Sequence, residues 1–163
     1  MFMRVLRFVR LPLVLLVIWT VLRFLLGPAF GVPYAPRGNA MFSIVGLTII
    51  CALIYGAMSN RIGNFNWLGT AIIGFLLGLF SQILIFTATL ISYVANLDTY
   101  FKHWDALNVP EGTIVPMAQA MTARASGLVV GPILIIVMAL IGRAVFGALA
   151  PRYDEARAAE RLR

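Results

Sequence analysis

The sequence predicts an all-α integral membrane protein, a bundle of four transmembrane helices with a long third helix and a short amphipathic helix before the fourth. Composition is the first observation: 61% of the 163 residues are apolar and only 12% are charged, whereas a soluble domain is about one-quarter charged. The second observation is a charge-free run from Trp67 to Asn96, which exceeds the roughly 20 apolar residues that span hydrocarbon. These observations exclude a soluble globular domain and a disordered chain.

The first predicted span covers residues 11–27 and follows three arginines, Arg4, Arg7 and Arg10. A secretory signal peptide is the alternative, because such a peptide also places a basic segment before a short apolar run. Arg23 interrupts the apolar run, and no small-residue cleavage site follows it. We therefore predict a retained helix, which the following stretch rich in glycine and proline is expected to end.

The remaining predicted spans cover residues 40–59, 67–95 and 127–150. A short polar turn joins the second and third spans, so we expect them to be antiparallel neighbours. Residues 97–126 form a long outer loop between the last two spans, and residues 151–163 form a charged cytoplasmic tail. Within the outer loop, residues 113–124 are predicted to form a short helix that either precedes the fourth span or continues directly into it.

The distribution of basic residues predicts the orientation. With the N-terminus inside, the cytoplasmic segments carry Arg4, Arg7, Arg10, Arg61, Arg152, Arg157, Arg161 and Arg163, and the outer segments carry Arg37, Lys102 and Arg124. Lys and Arg accumulate in cytoplasmic loops, so both termini are predicted to lie in the cytoplasm and the spans in the inner (plasma) membrane. The net charge of +7 is also explained by basic segments that are retained on the cytoplasmic side. We therefore predict no nucleic-acid partner.

Small residues line one face of the third span. At about 100° per residue, six of them fall close to one line along the helix: Gly74, Gly78, Ser81, Ala88, Ser92 and Ala95. The fourth span begins with a second small-residue pair, Gly127 and Gly131. Because small residues let helix backbones approach closely, we predict that both faces pack within the chain's own bundle, with self-association as the alternative.

Arg23 is the most informative charge, because an arginine within hydrocarbon is costly. In one interpretation it is a buried cation that binds an anionic ligand or a lipid headgroup, or pairs with an acid of the outer loop. In the other, which the sequence favours, the helix ends near Gly27 and Arg23 extends to the outer headgroups. Arg143 is likewise expected to reach the inner headgroups.

The outer loop holds a polar cluster that contains the only histidine: Asp98, His103, Asp105 and Glu111. Carboxylates and an imidazole can hold a divalent metal, but this spacing is not diagnostic, and we expect a solvated interfacial loop. No serine within a span has a histidine to activate it, and Cys51 is expected to be a small buried hydrophobe. We predict no metal, no resident cofactor and no catalytic site.

Three functions are compatible with the sequence. The leading hypothesis is a non-enzymatic accessory or assembly subunit that associates through small-residue helix faces with other membrane protein subunits or with itself. The second is an oligomeric transporter or channel for a small solute, lined by Arg23, Gln82, Thr89 and Ser92. The third is a lipid- or cofactor-binding protein that uses an interhelical groove and the aromatic residues of 100–104.

Overall fold

The computed structural model describes residues 1–32 and 43–150, and the regular elements in those ranges are helical. Four helices are long and apolar enough to cross a membrane: Arg10–Phe30, Ile44–Arg61, Trp67–Val94 and Met117–Phe146. The predicted all-α bundle of four membrane-spanning helices is therefore confirmed. The start of the second predicted span, residues 40–42, and the predicted tail, residues 151–163, lie outside the described residues.

The first helical region is longer than the predicted first span. Helix α1 (Phe2–Phe8) and helix α2 (Arg10–Phe30) follow one another, separated only by Val9. The arginine-rich segment before the apolar run is therefore itself helical. The helix also passes Gly27, where it was expected to end, so that prediction is wrong.

Helix α2 ends at Gly31 and not at Pro28. Pro28 lies inside the last turn, where it has no N–H to donate to the carbonyl four residues earlier, and the helix nevertheless continues to Phe30. Gly31 has φ +63°, and its N–H donates to the Gly27 carbonyl at 2.9 Å. A left-handed glycine that satisfies the last free carbonyls is a common way for a helix to end.

Helices α3 (Ile44–Arg61) and α4 (Trp67–Val94) are joined by a short turn in which Asn64 has φ +49°. Each begins with a polar side chain that accepts a hydrogen bond from the backbone N–H three residues later: Ser43 Oγ at 3.1 Å and Asn66 Oδ1 at 2.9 Å. Such side chains satisfy N–H groups that have no partner within the helix. The observed α4 differs from the predicted span 67–95 by one residue.

The outer loop contains a 3₁₀ turn (Tyr100–Lys102) and the short helix α5 (Trp104–Leu107). The last long helix, α6 (Met117–Ile141), continues into a π-helical turn (Gly142–Phe146). Residues 117–124 are therefore the first turns of α6 and not a separate helix. Of the two predicted alternatives, the helix that continues directly into the fourth span is the one observed.

The predicted fourth span, 127–150, begins too late. Pro116 has extended backbone angles (φ −64°, ψ 148°) and immediately precedes α6. Its ring fixes φ near this value, which suits the residue before a helix. From Met117 the chain then runs as one helix through Gly127 and Gly131 into the apolar stretch.

Helices α4 and α6 pack at backbone distance. A Cβ atom added to Gly74 would lie 2.6 Å from the Cα of Ile136, and one added to Gly78 would lie 2.7 Å from the Cα of Pro132. Ser81, Ala88 and Ser92 of that face are also buried, whereas Ala95, one residue past the end of α4, is exposed. The small-residue face of α4 therefore packs inside this chain's own bundle.

The glycine pair of α6 has a different neighbour. A Cβ added to Gly127 would lie 2.8 Å from Oε1 of Gln82, and one added to Gly131 would lie 2.6 Å from Nε2 of the same side chain. The space beside these glycines is occupied by the Gln82 amide, which α4 contributes.

Helix α2 is the peripheral helix of the bundle. In the most apolar 18-residue segment of α2, 17% of the residues are buried, against 39% in the corresponding segments of α3 and α4. Its outward face carries large apolar side chains such as Leu11, Ile18 and Leu22, which are 41–61% exposed. That face suits contact with lipid, because large apolar side chains are favourable in hydrocarbon.

Candidate functional site

A cavity of about 260 Å³ lies at the end of the bundle where α2 and α4 end and α6 begins. We call it the cationic cavity. Its polar lining comes mainly from Arg23, Tyr100, Asp105 and Arg124, which lie on α2, the 3₁₀ turn, α5 and α6. Three parts of the chain that are distant in sequence, α2, the outer loop and α6, therefore contribute to one site.

Arg23 is buried in the wall of this cavity, with only 4% of its side chain exposed. Its guanidinium carbon lies 3.7 Å from the centroid of the Tyr100 ring. In the described part of the chain, Nε of Arg23 is buried and has no hydrogen-bond acceptor. The expectation that Arg23 extends to the headgroups does not hold, because the residue is buried and α2 continues to Phe30, about 10 Å beyond it at 1.5 Å per residue.

Arg124 is the second cation of the cavity. Its Nε donates to Oγ1 of Thr89 at 3.2 Å, and its Nη2 donates to the Phe101 carbonyl at 3.4 Å. The side chain thereby connects α6 to α4 and to the outer loop. The sequence counted Arg124 only as an outer charge, although its spacing of three and seven residues before Gly127 and Gly131 places it on the packed face of one helix.

Two further contacts hold the outer loop against the bundle. The Tyr93 hydroxyl donates to the Val115 carbonyl at 2.7 Å, and the hydroxyls of Ser92 and Thr99 are 2.6 Å apart. Thr99 directly precedes the 3₁₀ turn, so these bonds position Tyr100 at the cavity wall.

The structure divides the predicted polar cluster of the outer loop. Asp98 and Glu111 are exposed, whereas Asp105 is only 8% exposed and lines the cationic cavity. His103 precedes α5, and its Nδ1 accepts from the Asp105 N–H at 3.3 Å. The described residues contain no group of three or more metal-ligating side chains. Of the four residues, Asp105 alone belongs to the cavity lining.

Arg143 lies at the opposite end of the bundle, where its side chain makes contacts within the protein. Its Nη1 donates to the Phe65 carbonyl and to Thr70 Oγ1, both at 2.8 Å. Its guanidinium carbon also lies 4.5 Å from the Trp67 ring centroid. The side chain therefore joins α6 to the start of α4, and is not simply extended toward headgroups as expected.

No protein-family model, curated protein or solved structure matches the chain. The chemistry of the cavity is therefore argued from its own residues. A guanidinium presents five N–H donors and suits phosphate or carboxylate oxygens. At about 260 Å³ the cavity is smaller than the roughly 300–1,000 Å³ of sites for drug-sized ligands, so it suits a single small anionic group.

Proposed function

We propose that this chain is a non-enzymatic multi-pass membrane protein that binds an anionic group, a phosphate or a carboxylate, in the cationic cavity. The observation that carries the proposal is the burial of Arg23. Removing an ion from water costs several kcal/mol even in real proteins, whereas a desolvated cation–π contact such as that with Tyr100 contributes about 2 kcal/mol. A bound anion supplies the remaining stabilisation.

The charge of the cavity supports the same conclusion. Among its described lining residues are two cations, Arg23 and Arg124, and one carboxylate, Asp105, which leaves a net charge of +1. A monovalent anionic group balances that charge. Asp105 should weaken anion binding by repulsion, so its removal is expected to strengthen it.

We also propose that the protein lies in the inner (plasma) membrane with both termini in the cytoplasm. Four arginines, Arg4, Arg7, Arg10 and Arg61, support this orientation, because they lie on α1, at the start of α2 and at the end of α3, which share one end of the bundle. Arg4 donates to the Gly63 carbonyl and Arg61 to the Ala150 carbonyl, which places both beside the α3–α4 turn. By the positive-inside rule that end faces the cytoplasm, and the cationic cavity lies at the outer end.

Binding is preferred here to the two other functions compatible with the sequence. The small-residue face of α4 is occupied within the chain, so it does not by itself argue for a partner subunit. Three of the residues considered for a solute path, Gln82, Thr89 and Ser92, are engaged in contacts inside the bundle. Association with other subunits or a second copy stays a prediction, which native mass spectrometry after gentle extraction would test.

The test of anion binding uses the purified protein in a neutral detergent and measures its unfolding temperature with inorganic phosphate, sulfate or chloride. Phosphate or sulfate should raise this temperature increasingly with concentration, as expected for a ligand of the folded state. Arg23→Met should abolish the increase, and Asp105→Asn should shift it to lower concentrations. The matched control is Arg10→Met, since Arg10 is exposed at the opposite end.

An equal response of the wild type, Arg23→Met and Arg10→Met would refute the proposal, as would no response of the wild type. Loss of the buried charge is not expected to unfold the protein, because replacing buried ions with apolar groups is often neutral. Arg23→Gln provides a second uncharged variant with the same expected result.

A further inference from the structure

We propose that the anionic group is the phosphate of a phospholipid, and that one acyl chain of this lipid lies in an apolar groove between α2 and α4. This inference rests on the proposed function and adds the class of ligand. The apolar surface that adjoins the cationic cavity favours a lipid of the outer leaflet over a soluble phosphate.

The groove has a volume of about 250 Å³ and is formed by Val21, Phe24 and Leu25 of α2 with Leu84 and Ile91 of α4, among others. Its polar content is slight. Thr20 also lines it, but the Thr20 hydroxyl already donates to a carbonyl of its own helix at 2.7 Å. The groove therefore offers apolar surface to a hydrocarbon chain.

The cavity and the groove lie on the two sides of one aromatic pair. Phe101 lines the cationic cavity and Phe24 lines the groove, and their ring centroids are 6.1 Å apart. Arg23 and Phe24 are neighbours on α2, as are Leu84 and Ile85 on α4, and in each case one residue lines each site. A ligand that fills both sites therefore needs a charged group next to an apolar tail.

The peripheral position of α2 makes this arrangement accessible from the bilayer. α2 is the least buried of the four spans, and Val21 and Leu25 beside the groove are 50% and 40% exposed. A soluble anion would occupy the cavity alone. An anionic phospholipid pairs its phosphate with the buried guanidinium, which suits phosphate oxygens, and covers the groove with the same molecule.

The experiment measures binding to the purified full-length protein by native mass spectrometry in a neutral detergent. The probes are dioleoyl phosphatidylglycerol, zwitterionic dioleoyl phosphatidylcholine and glycerol 3-phosphate, which has the charged group without acyl chains. Phosphatidylglycerol should bind with one molecule per chain and at least about tenfold more tightly than the two other probes, a difference of about 1.4 kcal/mol. Arg23→Met or Arg23→Gln should remove this preference.

A pair of tryptophan variants on α4 tests the groove. Thr87 lines the groove and is exposed, so Thr87→Trp should fill it and weaken phosphatidylglycerol binding about fivefold, equivalent to about 1 kcal/mol of lost packing. Binding of glycerol 3-phosphate should be unchanged. Phe75→Trp is the control, because Phe75 is 44% exposed on the same helix, is not among the groove residues, and lies about three turns from Thr87 on a different face.

The outcomes distinguish this inference from the proposed function. Equal phosphatidylglycerol affinity in Thr87→Trp and Phe75→Trp would overturn the placement of the acyl chain. Arg23-dependent binding of glycerol 3-phosphate that phosphatidylglycerol does not exceed would overturn the lipid and leave anion binding intact. If no probe depends on Arg23, both proposals are refuted.

Discussion

Substitution of Gly74 by alanine tests the close packing of α4 against α6. The added Cβ would lie 2.6 Å from the Cα of Ile136, with a backbone oxygen and a backbone nitrogen of α6 at 2.8 and 3.0 Å. These atoms all belong to the main chain, so no side-chain rotation can make room. The two helices must separate by about 0.8 Å to restore an ordinary contact of 3.4 Å.

The expected magnitude follows from a comparison with two other glycines. Overpacking in a tight core costs about 1–3 kcal/mol, while the change from glycine to alanine within a helix contributes about 0.5–1 kcal/mol of stability. At Gly46 the new Cβ would meet only the Ser43 side chain, at 3.4 Å and beyond. Gly74→Ala should therefore have a free energy of unfolding about 1–3 kcal/mol below that of Gly46→Ala. Gly131→Ala should lie between them, because there the flexible Gln82 side chain can move.

The assay is reversible unfolding in mixed micelles with increasing sodium dodecyl sulfate, followed by far-ultraviolet circular dichroism. The three variants share the same chemical change, so differences among them report the local packing. If Gly74→Ala is as stable as Gly46→Ala within about 0.5 kcal/mol, the scatter expected for substitutions without a specific mechanism, the inference of backbone contact between α4 and α6 is refuted.

Two further predictions concern the end of the bundle that holds Arg143 and the orientation of the protein in the membrane. Arg143→Met should lower the free energy of unfolding by about 1–3 kcal/mol, since it removes two hydrogen bonds from a charged donor and a contact with an aromatic ring. Arg10→Met should change the free energy of unfolding little. Equal effects of the two substitutions in the same unfolding assay would contradict the role assigned to Arg143. In a Cys51→Ala background, a membrane-impermeant thiol reagent added to intact cells should label Glu111→Cys, while Asn60→Cys should be labelled only after the membrane is opened. Labelling with the reverse preference would refute the proposed orientation.

The helices themselves were largely predictable from the sequence. The span of α4 was predicted to within one residue, because its length and lack of charge are local properties and Trp67 follows a polar turn that contains the capping residue Asn66. The failures lie where local signals compete. The first helix was expected to end near Gly27 although the left-handed Gly31 ends α2, and the short helix predicted from residue 113 begins only at Met117.

The cavity was predictable only in part. Arg23 was identified as the key charge, because an arginine in an apolar run is conspicuous in any sequence, but its burial was not. Burial depends on whether α2 continues past Gly27 and on which ring meets the guanidinium. Arg124 was missed as a site residue, and Asp105 was grouped with acids that the fold leaves exposed.

The sequence by itself determined the class of protein, the number of spans and the positions of its unusual charges, since these follow from composition and from patterns within single helices. The tertiary structure decided which residues meet. It placed the small residues of α4 against the backbone of α6, and it brought Arg23, Tyr100 and Arg124 to one cavity. The physical reason is that packing and burial are properties of contacts between helices, and the sequence of one helix does not specify which face of another lies against it.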